Sequence, residues 1–227
     1  MGINEKKICF IICVNDLHFF DECIKYINWL ERPEGMEVEV IEVRDVTSMT
    51  AGYNEGMNSS DAKYKVYMHQ DVFIINKYFI YDIIQIFQKN PILGGIGLVG
   101  CPHMPEDGVM WHGERVGGGS ACMPWEEYRY ELDKDGYWHV DAVDGLLIAT
   151  QYDLPWREDL FDGWDYYDIS QCYEMRRNGY FIAVPRQKTD WYIHDDKQII
   201  NLWNYDKYRR IFLQEYMRET MERNGEL

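Results

Sequence analysis

The run at residues 7–14, KICFIICV, constrains the fold most. After Lys7 every side chain is apolar, with no polar alternation, so a strand built from it has both faces covered. That is the pattern of an inner strand in a parallel sheet with helices on both sides. The residues that follow supply such a helix. Asn15 and Asp16 are suited to cap it, and Phe20, Cys23, Ile24, Ile27 and Leu30 recur at helical spacing. Pro33 and Gly35 mark a loop, residues 37–43 (EVEVIEV) alternate as a second strand, and Asp45 sits just past its end.

The alternation continues down the chain. Residues 51–58 (AGYNEGMN) predict a short helix, and residues 64–68 a strand ending in His69, Gln70 and Asp71. Residues 77–88 predict a helix stopped by Asn90-Pro91, and residues 94–99 another buried strand. Residues 101–139 carry Pro102, Pro105, Pro124 and a GGGS run from Gly117, and are expected as a long loop region. Strand signals return at 140–149. A helix is expected over 165–178, closed by Gly179, then a strand over 180–184. A final amphipathic helix is expected over 197–222, with Ile200, Trp203, Ile211, Phe212 and Met217 on its buried side. No linker or repeat divides residues 1–227. The expectation is one α/β domain, an open, mostly parallel twisted sheet flanked by helices. Right-handed crossovers bring the first strand ends to one edge, where ligands usually bind, and Asp16, Asp45 and Asp71 all follow strands there.

Charge narrows the partners. Asp and Glu total 39 against 23 Lys and Arg, a net −16, which argues against nucleic acid or an anionic membrane surface. An acidic chain can still hold a phosphorylated ligand if a metal ion or local donors offset the phosphate charge. No apolar run approaches the roughly 18 to 20 residues of a membrane span, and the N-terminal run is too short for a signal-peptide core. The six cysteines form no CxxC pair and several lie in apolar runs, the pattern of reduced thiols in a cytoplasmic protein. GGIG and GGGS do not make a dinucleotide fingerprint, and neither a phosphate-loop motif nor a nucleophile elbow is present.

Three segments carry candidate chemistry. In KVYMHQDVFI an acidic residue, Asp71, stands between two apolar runs. Burying it is costly unless the charge is paired or coordinates a cation, although it could instead cap a turn. In LFDGWDYYD, Asp162, Asp165 and Asp168 crowd together, and on a helix Asp165 and Asp168 would share a face. They suit either a helix N-terminus or a general base, and the aromatics around them, Trp164 included, suit a sugar site. In DWYIHDDK, His194 is a candidate metal ligand or a satisfied structural histidine.

In order and spacing these segments resemble family 2-like glycosyltransferases of GT-A type, in particular the small group named after a streptomycin-biosynthesis protein. The resemblance spans roughly residues 7–195 and rests on VIEVRD, AGYNEGM, YMHQDVFI, VDGLLIAT, FDGWDYYD and the late His194. It implies a nucleoside-diphosphate-sugar donor, a glycan or small-molecule acceptor, and Mn²⁺ or Mg²⁺. Under it Asp45 holds the nucleobase and Asn54 lies near the nucleotide. His69 stands where the first Asp of the family's DxD motif falls, and Trp164 lines the donor site. Asp71 and His194 hold the metal, and Asp168, with Asp165 as second candidate, is the base. The implied reaction is an inverting transfer. A non-catalytic nucleotide-sugar binder on the same fold is the first alternative, and a sugar nucleotidyltransferase the second. The final helix is expected either to cover the domain's own sheet or to pair with a second copy.

Overall fold

The computed structural model describes residues 2–118, 120–121, 136–187, 189–195 and 202–217. Its centre is a seven-stranded sheet. The chain begins with β1 (Asn4–Cys13), α1 (Leu17–Trp29), β2 (Glu37–Val43), α2 (Met49–Asn58) and β3 (Ala62–His69). Beyond these come β4 (Val72–Ile74), α3 (Phe79–Lys89), β5 (Leu93–Gly97), β6 (Val99–Cys101), β7 (Val116–Gly117) and β8 (Ser120–Ala121). The chain closes with β9 (Tyr137–Val140), β10 (Ala142–Val143), β11 (Leu147–Thr150), α4 (Tyr167–Arg177), β12 (Phe181–Pro185), β13 (Tyr192–His194) and α5 (Tyr205–Phe212).

The sheet order is β2-β1-β3-β11-β5-β12-β9. β2, β1, β3, β5 and β12 run one way, and β11 and β9 are reversed. The inner position expected of the first apolar run is where β1 lies. Ile8, Phe10 and Ile12 face the core under α1 and α3, while Cys9 and Ile11 face the core under α2, α4 and α5. α3 alone inserts Phe79, Ile80, Ile83, Ile84 and Phe87, each burial contributing about 1.5–3 kcal/mol before entropy is set against it. α2 lies close on β1 because it presents no side chain at Gly52 and Gly56. A Cβ there would stand 2.5 Å from Cys13 Sγ and 2.3 Å from Ile11 Cγ2.

Four expectations change. The strand expected over 94–99 breaks at Leu98, whose carbonyl turns to accept from Gly118 N and Gln187 Nε2, and β6 joins a separate sheet with β10 and β7. The strand expected over 140–149 divides into β9, β10 and β11: β10 leaves the main sheet to pair with β6, and Asp144 accepts from the Leu146 N–H to fold a side-chain-capped turn before β11. The loop region 101–139 contains three of these short strands and a 3₁₀ turn, Met110–His112. Residues 119 and 122–135 of it lie outside the described residues.

The last helix begins only at Tyr205, so Trp203 lies in the preceding turn, outside the 3.6-residue register, and is 90% exposed rather than buried. Ile200 and the stretches 197–201 and 218–222 are outside the described residues. Within the helix Phe212 is fully buried against Tyr166 and Tyr173 and Ile211 packs partly, as does Met217 in the π-helical turn Leu213–Met217 that follows. The helix therefore covers its own domain. No helix among the described residues is long and apolar enough to cross a membrane.

Candidate functional site

The C-terminal ends of β1, β2 and β3 open onto a cavity of about 410 Å³. Cys13, Val14, Asp45, Met49, His69, Asp71 and Trp164 are among its walls. Asp45, at the end of β2, holds φ 55°, a left-handed conformation that Asp tolerates better than most residues. Gln70 ties two strand ends together, its Oε1 accepting from the backbone N–H groups of Asn15 and Asp16 at 3.0 and 2.9 Å. Asp16 meanwhile caps α1 by accepting from His18 N. The N-terminus of α2 is fixed to the segment carrying Trp164. Met49 N donates to Gly163 O and Thr50 Oγ1 to Phe161 O, which stands half-exposed Trp164 at the cavity mouth.

Asp71 lies in the tight turn between β3 and β4, which explains an acid between two apolar strands. β13 pairs antiparallel with β4, placing His194 opposite Val72, and Asp195 N donates to Asp71 O. His69, Asp71 and His194 thereby bring one ligand atom each within 4.8 Å of one another. Asp71 Oδ1 faces His194 Nε2 at 3.5 Å and His69 Nδ1 at 4.0 Å, yet it is buried and accepts no hydrogen bond. A buried carboxylate oxygen without a donor is costly, and a cation among these three residues would satisfy it. The donor set fits a divalent metal. Burial pushes the Asp71 carboxyl up, but the adjacent imidazoles outweigh it and hold it below its ordinary value. Burial, then the neighbouring His194, depresses His69 below its ordinary value, against the pull of Asp71.

A second acid centre adjoins this one. Asp168 opens α4, its Oδ2 accepting from Gly145 N and its Oδ1 from Ile169 N, both at 2.8 Å. Those bonds and the helix N-terminus favour the carboxylate. Burial and the charge of Asp144 oppose them and prevail, pushing Asp168 up to about 7. Its neighbour Tyr167 reaches back to the metal cluster, with its hydroxyl 2.5 Å from His69 Nε2. Tyr167 is backed by Tyr53, at 5.9 Å between ring centroids, which itself packs on Tyr67 and Trp156. Gly145 allows the close fit: a Cβ there would lie 2.2 Å from the Tyr167 hydroxyl.

Asp45, His69, Asp71 and Trp164 thus share the cavity wall, and His194 joins them through β13. Two expected site residues stand apart from this group in the structure. Asn54 is committed to the backbone of Trp156, donating to its carbonyl at 2.9 Å and accepting from its N–H at 2.8 Å, and it does not line the cavity. Asp165 does not share a helical face with Asp168. Tyr166, at φ 62°, turns the chain between them, so α4 starts after Asp165, whose carboxyl is raised by burial alone. Asp162 accepts from Lys207 and Tyr208 and ties α5 to this segment. Sequence reasoning gave no role to Asp144 or Gly145, and took Tyr167 only as one of the aromatics beside the acids. The signal for Asp144 was the one that marked Asp71, an acid interrupting an apolar stretch, here VDGLLIAT.

A seven-stranded mixed sheet flanked by helices is the architecture of GT-A glycosyltransferase structures. A family model described as a glycosyltransferase-like family matches residues 9–216. The chain belongs to that family and is an enzyme of the glycosyltransferase class. S. aureus TarS 1-349 in complex with UDP superposes with a TM-score of 0.59 at 9% identity, over 90% of this chain and 64% of that one. The mannosyltransferase PcManGT from Pyrobaculum calidifontis, in complex with GDP-Man and Mn²⁺, gives 0.55 at 10% identity, over 91% and 61%. Full TarS is covered over only 39% of its length. The chain spans less than two thirds of these proteins, and at such identities the likeness is one of fold. No curated protein matches the chain by sequence.

Proposed function

We propose that this enzyme is a metal-dependent, inverting glycosyltransferase that moves a sugar from a nucleoside-diphosphate sugar to an acceptor hydroxyl. The observation that carries this reading is the cavity whose walls join Asp45, Trp164 and the buried, donorless Oδ1 of Asp71. Asp45 accepts hydrogen bonds from the nucleobase and the Trp164 ring covers the donor. A divalent ion held by Asp71 and His194, Mn²⁺ or Mg²⁺, would act as a Lewis acid on the departing diphosphate. Asp168 takes the proton from the acceptor hydroxyl as that oxygen attacks the anomeric carbon. A base near pKa 7 matches the demands of proton transfer at neutral pH. The Gly145 and Ile169 N–H groups fix the carboxylate in place, and Trp164 limits water that would hydrolyse the donor.

The solved neighbours that carry UDP or GDP-Man support a nucleotide-sugar donor. The ordered motifs support kinship with the group named after a streptomycin-biosynthesis protein. The five described cysteines are free thiols, which suits a cytoplasmic location. The acceptor is a glycan or small molecule. The test is turnover of UDP- and GDP-sugars with Mn²⁺ by the wild type, Asp71→Ala and Asp168→Asn. Loss of at least a hundredfold in both variants is expected, and wild-type rates in both would overturn the assignment.

A further inference from the structure

The reading above leaves the donor sugar open. We infer that Asp144 is a specificity-determining residue that accepts a hydrogen bond from a hydroxyl of the donor sugar, so that the enzyme takes neutral sugars and rejects uronic acids. This inference rests on the proposed transfer from a nucleoside-diphosphate sugar, and it concerns the sugar rather than the nucleotide or the ion.

The position of Asp144 carries it. For attack on the anomeric carbon, the donor sugar must lie between the end of β3, where its diphosphate is held, and Asp168, which takes the acceptor's proton. The turn at residues 144–146 is fastened to both. His69 N donates to Leu146 O at 3.0 Å, and Gly145 N donates to Asp168 Oδ2 at 2.8 Å. From behind, Asp144 N donates to Val99 O at 3.0 Å. Asp144 therefore stands beside the reacting centre on a fixed support. Its charge acts on His69, on the Tyr167 hydroxyl and on Asp168, three groups around that centre. It does not line the 410 Å³ cavity at the strand ends, which suits contact with the sugar and not with the nucleotide. The residue is half-buried, and its carboxylate is only half used. Oδ1 accepts from Leu146 N at 2.8 Å, while Oδ2 accepts no hydrogen bond from any described residue. A free carboxylate oxygen at this point is an acceptor for a sugar hydroxyl, and its charge strengthens the bond. The same charge, next to that of Asp168, opposes a further carboxylate, which is what a uronic acid brings.

The experiment is calorimetry on the purified full chain with MnCl₂, which needs no acceptor. The ligands are UDP, UDP-glucose and UDP-glucuronate, and GDP, GDP-mannose and GDP-mannuronate, and the series whose base the enzyme accepts gives the comparison. Asp144→Asn is the variant, because an Asn Oδ1 still accepts from Leu146 N and keeps the turn, while the free oxygen becomes an amide that donates. The wild type is expected to bind the neutral sugar nucleotide at least tenfold more tightly than its uronic partner. Asp144→Asn is expected to weaken the neutral sugar nucleotide about tenfold, to bring that ratio below about threefold, and to leave the bare nucleoside diphosphate within about twofold. Equal or tighter binding of the uronic compound by the wild type would overturn the inference whether or not the variant folds. An unchanged ratio in an Asp144→Asn protein with a wild-type circular dichroism spectrum would remove Asp144 from the sugar site and leave nucleotide-sugar transfer standing. Equal weakening of the bare nucleoside diphosphate would place Asp144 at the nucleotide and overturn the inference as well. Binding of none of the six compounds would overturn the nucleotide-sugar reading and this inference with it.

Discussion

Four influences compete at the Asp168 carboxyl. Two backbone N–H groups and a helix start favour its charge, while burial and Asp144 oppose it more strongly. The folded protein therefore holds a proton on Asp168 between about pH 4 and pH 7 that the unfolded chain has released. A raised carboxyl pKa means that this residue costs stability increasingly as pH rises through that window. Asp168→Asn should accordingly melt at a higher temperature than the wild type above pH 7, with the difference shrinking toward pH 4 in thermal scans. The same substitution removes the base, so kcat should fall about 10²- to 10⁴-fold. In the wild type, kcat/KM should be low in acid and rise with a midpoint near 7, because the base must be ionised to accept the acceptor's proton. A stabilised yet inactive Asp168→Asn protein would separate the catalytic role from a structural one.

Elements meet at the site through close backbone contacts. The turn between β10 and β11 approaches Tyr167 at Gly145, and only the missing Cβ lets the Tyr167 hydroxyl stay on His69. Gly145→Ala should push α4 away from β3, loosening both Tyr167–His69 and Gly145–Asp168. Activity should fall at least tenfold and metal affinity with it, measured as Mn²⁺ dependence of turnover. α5 acts at longer range. Phe212 is wedged against Tyr166, the left-handed residue that aims α4. Phe212→Ala should lower unfolding free energy by about 3–5 kcal/mol in urea titrations, the cost of a cavity in a packed aromatic cluster. A loss below about 1 kcal/mol would mean that α5 is not integral to the core.

Across the whole molecule, a net charge of −16 surrounds a cavity proposed to accept a diphosphate. Bringing two polyanions together without a cation is unfavourable, so nucleotide binding and metal binding should be strongly coupled. UDP or GDP alone should shift the melting temperature little, and Mn²⁺ with the matching nucleotide should raise it. A ligand at a hundredfold its Kd adds about 2.7 kcal/mol. EDTA should reverse the shift, and Asp71→Ala should abolish it. An equal shift with and without metal would show that local donors suffice.

Much of this was legible along the chain because it depends on local patterns. The all-apolar run of β1 required cover on both faces, and the helical spacings placed α1 and α3. An acid between apolar runs marked Asp71 as a residue needing a partner. What the sequence left open depended on contacts between distant segments. The register of β13 against β4 decided that His194 faces Asp71. The left-handed turn at Tyr166 separated Asp165 from Asp168, and the backbone of Trp156 claimed Asn54. Periodicity reports which face a residue occupies on its own element. Which side chains from different elements share a few ångströms, and so share a proton or an ion, is settled only when the sheet and its turns close.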